Sequence, residues 1–425
     1  MPNGLWSTDH PADHPAETGA VEPSGVASLL RLTLAKGVGP ATARRLLDAF
    51  GTVDRACAAS VADLERVEGI GPTRARRLVG AIREAEALVE PELRAIREAG
   101  VRLVPIGSSG YPALLAEIEP APALLYVRGS IEPEGRDRYP VAIVGSRRCT
   151  AYGIEQAERF AMHLAEAGLT IVSGGARGID AAAHRGALRV GGRSIAVLGC
   201  GLARCYPPEH AGLYEQLAGG GAVVSELPMQ TPPNAENFPA RNRIISGLSL
   251  GVIVIEASQK SGALITARVA AEDQGREVMG VPGRVDSEAS RGTHDLLRQG
   301  GAHLVTGPAD VLEILEQSAW HAHRGTHGAR YADPTKPDPI RPGPAHVPAV
   351  EAEARSESSP AGAALPGLDE DQRRILGVLS ESPRTPDELA EATGIDPGRL
   401  RGQLTRLEIL GLVTRQGLRL ARRGG

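Results

Sequence analysis

The sequence predicts an α/β protein whose centre is a doubly wound, mainly parallel sheet, with a small helical domain before it and another small domain after it. The main observation is a series of six short Val/Ile-rich runs that are separated by stretches of helical periodicity. Continuous apolar runs are typical of strands that are buried on both faces. Two further observations are a repeated Gly-hydrophobe-Gly-Pro sequence before residue 100 and an amphipathic pattern after residue 367.

Length and composition divide the chain. It has 425 residues and a formal net charge of -4, so a basic surface must be local. We predict a disordered tail, a helical domain, a sheet domain, a disordered linker and a C-terminal domain. Their ranges are 1–25, 26–100, 101–317, 318–367 and 368–425. The tail and the linker are rich in Pro and polar residues and show no hydrophobic periodicity.

Targeting signals and metal motifs are absent from the sequence. The N-terminal segment has no basic stretch followed by an apolar one, and no run approaches ~18 apolar residues. We therefore expect a cytoplasmic protein without a membrane partner. The four cysteines are spaced irregularly, and Cys200 and Cys205 lack a second pair of metal ligands. We expect no metal and no other cofactor.

The helical domain contains a near repeat, "LAKGVGPATARRLLDAFG" at 34–51 and "VEGIGPTRARRLVGAI" at 67–82. The glycines permit a tight turn, and Pro40 or Pro72 at the start of the next helix costs no hydrogen bond. This pattern predicts two helix-hairpin-helix motifs. The exposed N–H groups at such a helix start are able to hold a phosphate, so each copy either contacts DNA or serves only for packing.

Six apolar runs in the sheet domain predict its strands. They are "PVAIVG" (140–145), "LTIVSG" (169–174), "SIAVLG" (194–199), "AVVSE" (222–226), "GVIVIEA" (251–257) and "EVMGVPG" (277–283). Right-handed crossovers place the loops that follow successive parallel strands along one edge of the sheet, where such sheets bind ligands.

Glycines and arginines cluster at three junctions on that edge: "GSRRCTAYG" (145–153), "SGGARGIDAAAH" (173–184) and "FPARNRIISGLS" (238–249). Glycine lets backbone N–H groups approach an anion, and arginine supplies charge beside them. The alternative is that the glycines only turn the chain and the arginines form ion pairs with nearby carboxylates. The candidate partners are Glu155, Asp180, Glu226 and Glu256.

The third junction places Phe238 beside two arginines, Arg241 and Arg243. If this stretch is helical, the two arginines point about 200° apart and do not face one phosphate together. We predict that one of them, whichever points outward with Arg147 and Arg177, contacts phosphate. The other braces a neighbouring loop.

Catalytic constellations have no support in the sequence. No Ser/His/Asp arrangement has the necessary context, and we expect His184, inside a helical stretch, to serve packing or capping. A binder of an extended polyanion fits these residues better than an enzyme, so we predict that the protein is not an enzyme.

The C-terminal domain shows three amphipathic helical stretches and a short hairpin, the layout of a winged helix. Thr385 to Glu388 form a capping-box sequence with Pro386 at the first helical position, and Asp396-Pro397 begins the next helix in a similar way.

Several of these sequences resemble the DNA-processing protein A family, known as DprA or Smf, over residues 105 to 315. The likeness is carried by "VAIVGSRRCTAYG", "GLTIVSGGARGIDAAAHRGAL", "NFPARNRIISGLS", "SGALITARVA" and "GREVMGVPG". The resemblance implies a Rossmann-like core in a homodimer that binds single-stranded DNA, protects incoming strands in natural transformation and recombination, and loads RecA recombinase onto them. Duplex DNA is a further expected partner, through the helical and winged-helix domains.

The resemblance also implies a pocket for the sugar-phosphate backbone in which the phenylalanine packs against a base. Carried over residue by residue, the DNA-binding positions are Gly145, Ser146, Arg147, Ser173, Gly174, Gly175, Arg177, Asn237, Phe238, Arg241, Asn242, Arg243, Ser261 and Gly262. Some relatives carry a lysine shortly before the phenylalanine, where this chain has Ala235, Glu236 and Asn237, so the charge there is weaker.

Two other functions compete with DNA binding. A nucleoside-monophosphate phosphoribohydrolase, as in cytokinin activation, also uses a Rossmann-like sheet and a Gly-rich phosphate loop. Its P-G-G-x-G-T-x-x-E signature is absent, and "PGRVDSEASRGTHD" (282–295) only partly resembles it. A purely regulatory dimer acting through its winged helix would leave the arginines at the sheet edge without a role.

Overall fold

The computed structural model describes residues 23–323, 369–379, 384–409, 412–416 and 419–422. The chain divides into two units, Met1–Ser318 and Ala319–Gly425. Most of the predicted tail and of the predicted linker lies outside the described residues. The first helix begins at Pro23, within the predicted tail, and the last helix of the sheet domain runs to His323, beyond residue 317.

Within the described residues, five helices precede the sheet and form the predicted hairpin motifs. They are α1 (Pro23–Leu34), α2 (Pro40–Phe50), α3 (Val53–Ala58), α4 (Val61–Glu65) and α5 (Pro72–Glu98). Gly39 and Gly71 are the N-cap residues of α2 and α5, their backbones are extended, and neither helix has a side-chain cap. Proline follows at the first helical position of both, as the repeat predicted.

In the part of the first unit that the structure describes, the sheet has nine strands. They are β1 (Val101–Pro105), β2 (Leu124–Gly129), β3 (Pro140–Val144), β4 (Thr170–Ser173), β5 (Ser194–Val197), β6 (Ala222–Ser225), β7 (Gly251–Val254), β8 (Glu277–Gly280) and β9 (His303–Leu304). All six predicted runs are strands, and the parallel pairing of β3 to β8 confirms a doubly wound, mainly parallel sheet. The sequence prediction did not include β1, β2 and β9. Of these, β1 and β2 are antiparallel.

The strand order is β1-β2-β6-β5-β4-β3-β7-β8-β9. From β3 the chain builds outward through β4, β5 and β6, and then returns to the other side of β3 to place β7, β8 and β9. The order therefore reverses between β3 and β7, which leaves a crevice outside their carboxyl ends.

Helices cover both faces of this sheet. They are α6 (Ala113–Ala116), α7 (Ala151–Glu166), α8 (Ile179–Arg189), α9 (Ala211–Gly220), α10 (Asn237–Gly247), α11 (Gly262–Arg268), α12 (Arg291–Arg298) and α13 (Pro308–His323). The helix α10 connects β6 to β7, so it crosses the point where the strand order reverses. Within the part of the chain that the structure describes, no helix combines the length and apolarity that a membrane crossing requires.

The hairpin helices and one face of the sheet share a hydrophobic core. Leu30 and Leu78 from the helices belong to the same buried cluster as Tyr126 and Leu217 from the sheet side. Glu92 of α5 is also buried, and it accepts a hydrogen bond from the backbone N–H of Met229 at 2.6 Å. The first unit therefore continues from the hairpins into the sheet without a break in its core.

The second unit is the predicted winged helix. Its elements are α14 (Glu370–Leu379), α15 (Pro386–Thr393), α16 (Pro397–Ile409), β10 (Val413–Gln416) and β11 (Arg419–Arg422), and the two strands are antiparallel. The side chains of Thr385 and Glu388 form the predicted capping box at the start of α15. Leu376, Leu389, Leu404 and Leu420 are among the residues of its buried core.

Candidate nucleic-acid interface

A cleft of about 560 Å³ opens outside the carboxyl ends of β3 and β7. It is lined by the loops that follow β3, β4 and β7 and by the first turns of α10. A crevice where the strand order reverses is the usual ligand site of a doubly wound sheet. The predicted residues that line it are Gly145, Ser146, Arg147, Phe238, Arg241, Asn242, Ser261 and Gly262.

The loop after β3 is held in place by Glu256, which follows β7. The backbone N–H of Thr150 donates to one carboxylate oxygen of Glu256 at 2.7 Å, and the Thr150 hydroxyl donates to the other at 2.9 Å. The backbone N–H of Ser146 donates to the carbonyl of Glu256 at 2.7 Å. Because the loop is fixed at both ends, Arg147 and Arg148 between these anchors are exposed at the mouth of the cleft.

Gly178 brings the loop after β4 against this first loop. Its φ is +78°, and a Cβ at this position would lie 2.4 Å from the carbonyl oxygen of Ser146. An L-residue is therefore excluded both by backbone conformation and by space. Gly178, in the second predicted junction, therefore permits the close approach of two loops, and anion contact by its backbone stays a prediction.

Phe238 lies in the wall of the cleft with two guanidinium groups near its ring. The Cζ atom of Arg147 is 4.9 Å from the ring centroid, and that of Arg241 is 5.9 Å away. The Tyr206 ring packs at 5.5 Å, and Gly199 approaches so closely that a Cβ there would lie 2.9 Å from the ring. The half-buried ring thus has a fixed position beside exposed positive charge.

Arg241 is buried in the cleft, where it joins the ends of two strands. Its Nη1 donates to the carbonyl of Gly174 at 2.6 Å and also to the carbonyl of Val197. Its Nε has no hydrogen-bond partner among the described residues. Burial lowers the pKa of this guanidinium, and the nearby Asp180 carboxylate opposes that shift.

Asp180 lies beside Arg241 at the start of α8. It accepts a hydrogen bond from the backbone N–H of Ala176 at 3.2 Å. A Cβ at Gly174 would lie 2.6 Å from the Asp180 carboxylate and 2.7 Å from Arg241 Nη2, so glycine is needed where the two side chains meet. Burial raises the pKa of Asp180, and Arg241 opposes this effect most strongly.

Six of the predicted residues lie outside the cleft lining, and Arg243 of α10 is one of them. Ser173 donates to the carbonyl of Ile143 at 2.6 Å inside the sheet. Gly174 and Gly175 are buried at the start of the loop after β4, and their carbonyls accept from Arg241 and from Tyr214, respectively. Asn237 donates to the carbonyl of Pro232 at 3.4 Å. Arg177 is exposed and forms a two-point ion pair with Glu209, at 2.5 and 3.0 Å.

The prediction for the two arginines of α10 requires a correction. Neither Arg241 nor Arg243 points outward with Arg147 and Arg177. Arg241 faces the cleft but is buried, because it satisfies two strand-end carbonyls. Arg243 also lies outside the cleft lining and forms a largely buried ion pair with Glu226 at 2.5 Å, which is the alternative that the sequence left open for this residue.

Sequence reasoning missed several residues of the cleft, including Arg148, Tyr206 and Lys260, whereas Asp180 was named only as a candidate ion-pair partner of the arginines. Lys260 immediately precedes the predicted Ser261, so its position in the sequence was a usable signal. Lys260 adds positive charge to the cleft. Ala235, one of the positions at which we expected weaker charge, also lines the cleft. Tyr206 carried no such signal, because its approach to Phe238 depends on the fold of the loop after β5.

The arrangement offers anion contacts and an aromatic surface. His184 is buried away from the cleft, with Nδ1 2.7 Å from the Ser194 hydroxyl, and burial lowers its pKa to about 3. This confirms the packing role predicted for it. Among the described residues, no group of His, Cys, Asp and Glu side chains is arranged to hold a metal ion.

Three family models match the chain. The model described as DNA recombination-mediator protein A matches residues 102–316. The DprA winged helix domain matches residues 359–417, and the SAM-like helix-hairpin-helix tandem matches residues 29–84. The first match covers every residue of the cleft and all of the sheet except Val101.

The chain is also similar to individual proteins. The Smf protein of Escherichia coli is 47% identical over 229 residues, which are 54% of this chain and 60% of that protein, so the match leaves about two fifths of the relative uncovered. The Smf protein of Synechocystis is 38% identical over 322 residues, 74% of this chain and 78% of that protein. The X-ray structure of DNA processing protein A from Streptococcus pneumoniae has 36% identity and a TM-score of 0.58, covering 67% of this chain and 95% of that one.

Proposed function

The chain belongs to the DNA recombination-mediator protein A family, and from that premise we propose that it binds single-stranded DNA in the cleft between β3 and β7. We further propose that it protects incoming strands in natural transformation and homologous recombination and loads RecA recombinase onto them. The description of the family supports this second step, because a recombination mediator delivers a strand to its recombinase.

The observation that carries the DNA-binding proposal is the contact of two arginines with one aromatic ring at the cleft. Proteins that bind single strands combine a positively charged groove with aromatic side chains on which bases stack. Phe238 supplies the ring, Arg147 supplies exposed charge beside it, and Lys260 supplies exposed charge elsewhere in the cleft lining. These parts come from three separate segments that meet only in the folded sheet.

Binding requires a change at Arg147, whose guanidinium covers part of the Phe238 ring. Arg147 is exposed and makes no ion pair among the described residues. We propose that a base takes its place on the ring while the guanidinium turns to the flanking phosphate. Arg241 stays where it is, because its two carbonyl contacts fix it.

The stacking step selects for unpaired bases, since the bases of a duplex are already stacked on one another. The test is a titration of the full chain against fluorescent oligo-dT and against a blunt duplex of equal length, at several salt concentrations. We expect tighter, salt-sensitive binding of the single strand. Equal affinity for both would contradict the proposal.

The recombinase step and the homodimer are tested with the same protein. We expect the chain to sediment as a dimer and to increase the rate at which RecA assembles on single-stranded DNA. The competing phosphoribohydrolase function predicts release of a free base from a nucleoside monophosphate. We expect no release when the products are separated by chromatography.

A further inference from the structure

A second depression, the side groove, adjoins the cleft between α11 and α12 and has a volume of about 520 Å³. Lys260, Ser261 and Ile265 line both the cleft and the side groove. We propose that the side groove binds the nucleotide that follows the one held at Phe238, so that the strand leaves the cleft along α11. This inference rests on the proposed function and adds to it the path of the strand.

The floor of the side groove suits the face of a base. Leu264 and Leu296 are half-buried there, and Ile265 is 38% exposed on α11, whose buried residues are Ala263, Thr266 and Ala267. Gly292 makes this floor continuous, because a Cβ there would lie 2.6 Å from the carbonyl of Ser258 and 2.8 Å from Leu264. The start of α12 therefore packs directly on the loop that follows β7. The result is an exposed apolar strip that continues from the cleft.

The walls of the side groove carry the groups that recognise the edges of bases. Gln259 and Gln299 line it, and a side-chain amide offers both a donor and an acceptor. The amide of Gln259 donates to Asp295 at 2.7 Å, which connects the loop after β7 to α12. Its carbonyl oxygen faces no competing partner among the described hydrogen bonds.

The charge of the side groove favours a polyanion over an apolar or acidic partner. Lys260 and Arg268 are exposed on its rim, and neither makes an ion pair with any described residue. Asp295 is the carboxylate of the lining, and its charge is met by Arg298 at 2.9 Å and by Gln259. Lys260 stands between the two depressions, where the phosphate between two bound bases would lie.

The experiment is a length series of oligo-dT bound by the full chain, by Arg268→Ala and by Arg185→Ala. Arg185 is a matched control, because it is an exposed arginine on α8 outside both depressions. We expect affinity to rise when the oligonucleotide is long enough to enter the side groove. We expect Arg268→Ala to reduce that gain in affinity by about three- to ten-fold. It should also reduce the salt slope, which is the slope of log affinity against log salt concentration, by about 0.7. The affinity for the shortest oligonucleotides that bind should be unchanged.

Three results would overturn the inference in distinguishable ways. If Arg268→Ala matches Arg185→Ala at every length, the strand does not enter the side groove. If Arg268→Ala changes the sedimentation of the DNA-free protein and not its DNA affinity, the groove is a contact between copies of the chain. If the unmodified chain binds no oligonucleotide of any length, the proposed function itself is wrong.

Discussion

Phe238 differs from the other two phenylalanines of the chain in its surroundings. Phe160 is fully buried in the core, and Phe50 packs against the hairpin helices, whereas Phe238 borders the cleft beneath Arg147. Base stacking on an aromatic ring contributes about 1 to 3 kcal/mol. We therefore expect Phe238→Ala to weaken binding of oligo-dT by roughly ten- to a hundred-fold, with no change in salt slope because no charge is removed.

The chain contains a matched control for this variant. Tyr139 also lies beneath an arginine, with the Cζ atom of Arg138 5.7 Å from its ring centroid, but it precedes β3 and so lies at the opposite end of the sheet. Tyr139→Ala should leave the affinity unchanged. If Phe238→Ala binds oligo-dT normally and melts several degrees lower, the ring serves packing and not base contact.

Arg177 offers a test of whether an ion pair restrains a DNA contact. Its side chain is paired with Glu209 at the surface, beside a loop whose Ala176 lines the cleft. If Arg177 contacts phosphate in the complex, it must leave Glu209 to do so. We expect Glu209→Gln to tighten binding of oligo-dT by about two- to five-fold, since an exposed ion pair of this kind is weak and restrains Arg177 only slightly.

The control for this prediction is the double variant. Adding Arg177→Ala to Glu209→Gln should remove the gain, because the released cation is then absent. A gain that persists in the double variant would come from loss of the Glu209 charge alone, and Arg177 would not be a DNA contact.

At the scale of elements, α10 explains which of the predicted residues meet. Phe238, Arg241, Asn242 and Ile245 follow the spacing of one helix face, and all four line the cleft. Arg243 lies on another face and reaches Glu226. The sequence correctly predicted that the two arginines diverge. It did not reveal which one faces the cleft, because the choice depends on carbonyls and a carboxylate that are distant in the chain.

For the sheet and for the site as well, the sequence predicted what depends on neighbouring residues and did not predict what depends on distant segments of the chain. Val/Ile runs such as the one in β7 predicted six strands, since a strand buried on both faces needs apolar residues throughout. Arg147 was predicted because a loop after such a strand lies at the ligand edge, and Ser146 was implied by the family resemblance. Lys260 and Tyr206 were missed, because their positions follow from how the loops after β7 and β5 pack.

Variants of the two arginines of α10 should separate binding from stability. Arg243→Ala leaves Glu226 buried without its partner, and we expect a loss of about 3 to 5 kcal/mol in the free energy of unfolding by urea. Binding of oligo-dT by the folded protein should stay within about two-fold of the unmodified chain, since a group outside the cleft adds no phosphate contact.

Arg241→Ala should instead affect both properties. It leaves the carbonyls of Gly174 and Val197 without their donor, and each unsatisfied buried group costs about 1 to 3 kcal/mol.

Replacing the ion pair of Arg243 and Glu226 by apolar residues, Arg243→Met with Glu226→Leu, should recover most of the stability that Arg243→Ala loses. If that double variant is as unstable as Arg243→Ala, the pair is not the source of the effect.

At the scale of the whole molecule, Glu92 connects the hairpin helices to the sheet. It is buried on α5, its carboxylate accepts from Met229 N–H, and burial raises its pKa. A carboxyl whose pKa is raised on folding stabilises the protein below its unfolded pKa, near 4.5, and that stability is lost as pH rises through the folded pKa. Glu92→Gln does not titrate and keeps the acceptor.

We therefore expect Glu92→Gln to melt at a higher temperature than the unmodified chain at pH 7 to 8, with the difference shrinking as pH falls and absent below about pH 4. Differential scanning calorimetry across this range measures it. Glu90→Gln is the control, because Glu90 is exposed and pairs with Arg97 at the surface. A constant difference at every pH would mean that Glu92 is not a buried titrating group.

Deleting residues 1–100 or residues 319–425 tests how far the DNA-binding unit extends. The hairpin helices share a hydrophobic cluster with Tyr126 and Leu217, so deletion of 1–100 would expose that face of the sheet. We expect this deletion to lower the melting temperature sharply or to yield insoluble protein. The sequence alone, which placed a boundary at residue 100, would have predicted a stable sheet domain.

Deletion of residues 319–425 removes a separate unit and should leave the melting of the first unit unchanged. In the second unit, Arg374 and Arg399 are already paired with Glu370 and Asp371, so fewer arginines are available for phosphate. We expect a modest loss of affinity for oligo-dT and a slightly flatter salt slope, because few counterions are released by this unit. Titrations of the full chain and of the deletion variant at several salt concentrations measure the affinity and the salt slope. An identical slope would indicate that the winged helix contacts protein and not DNA. Loss of all binding would indicate that the principal DNA site lies outside the cleft.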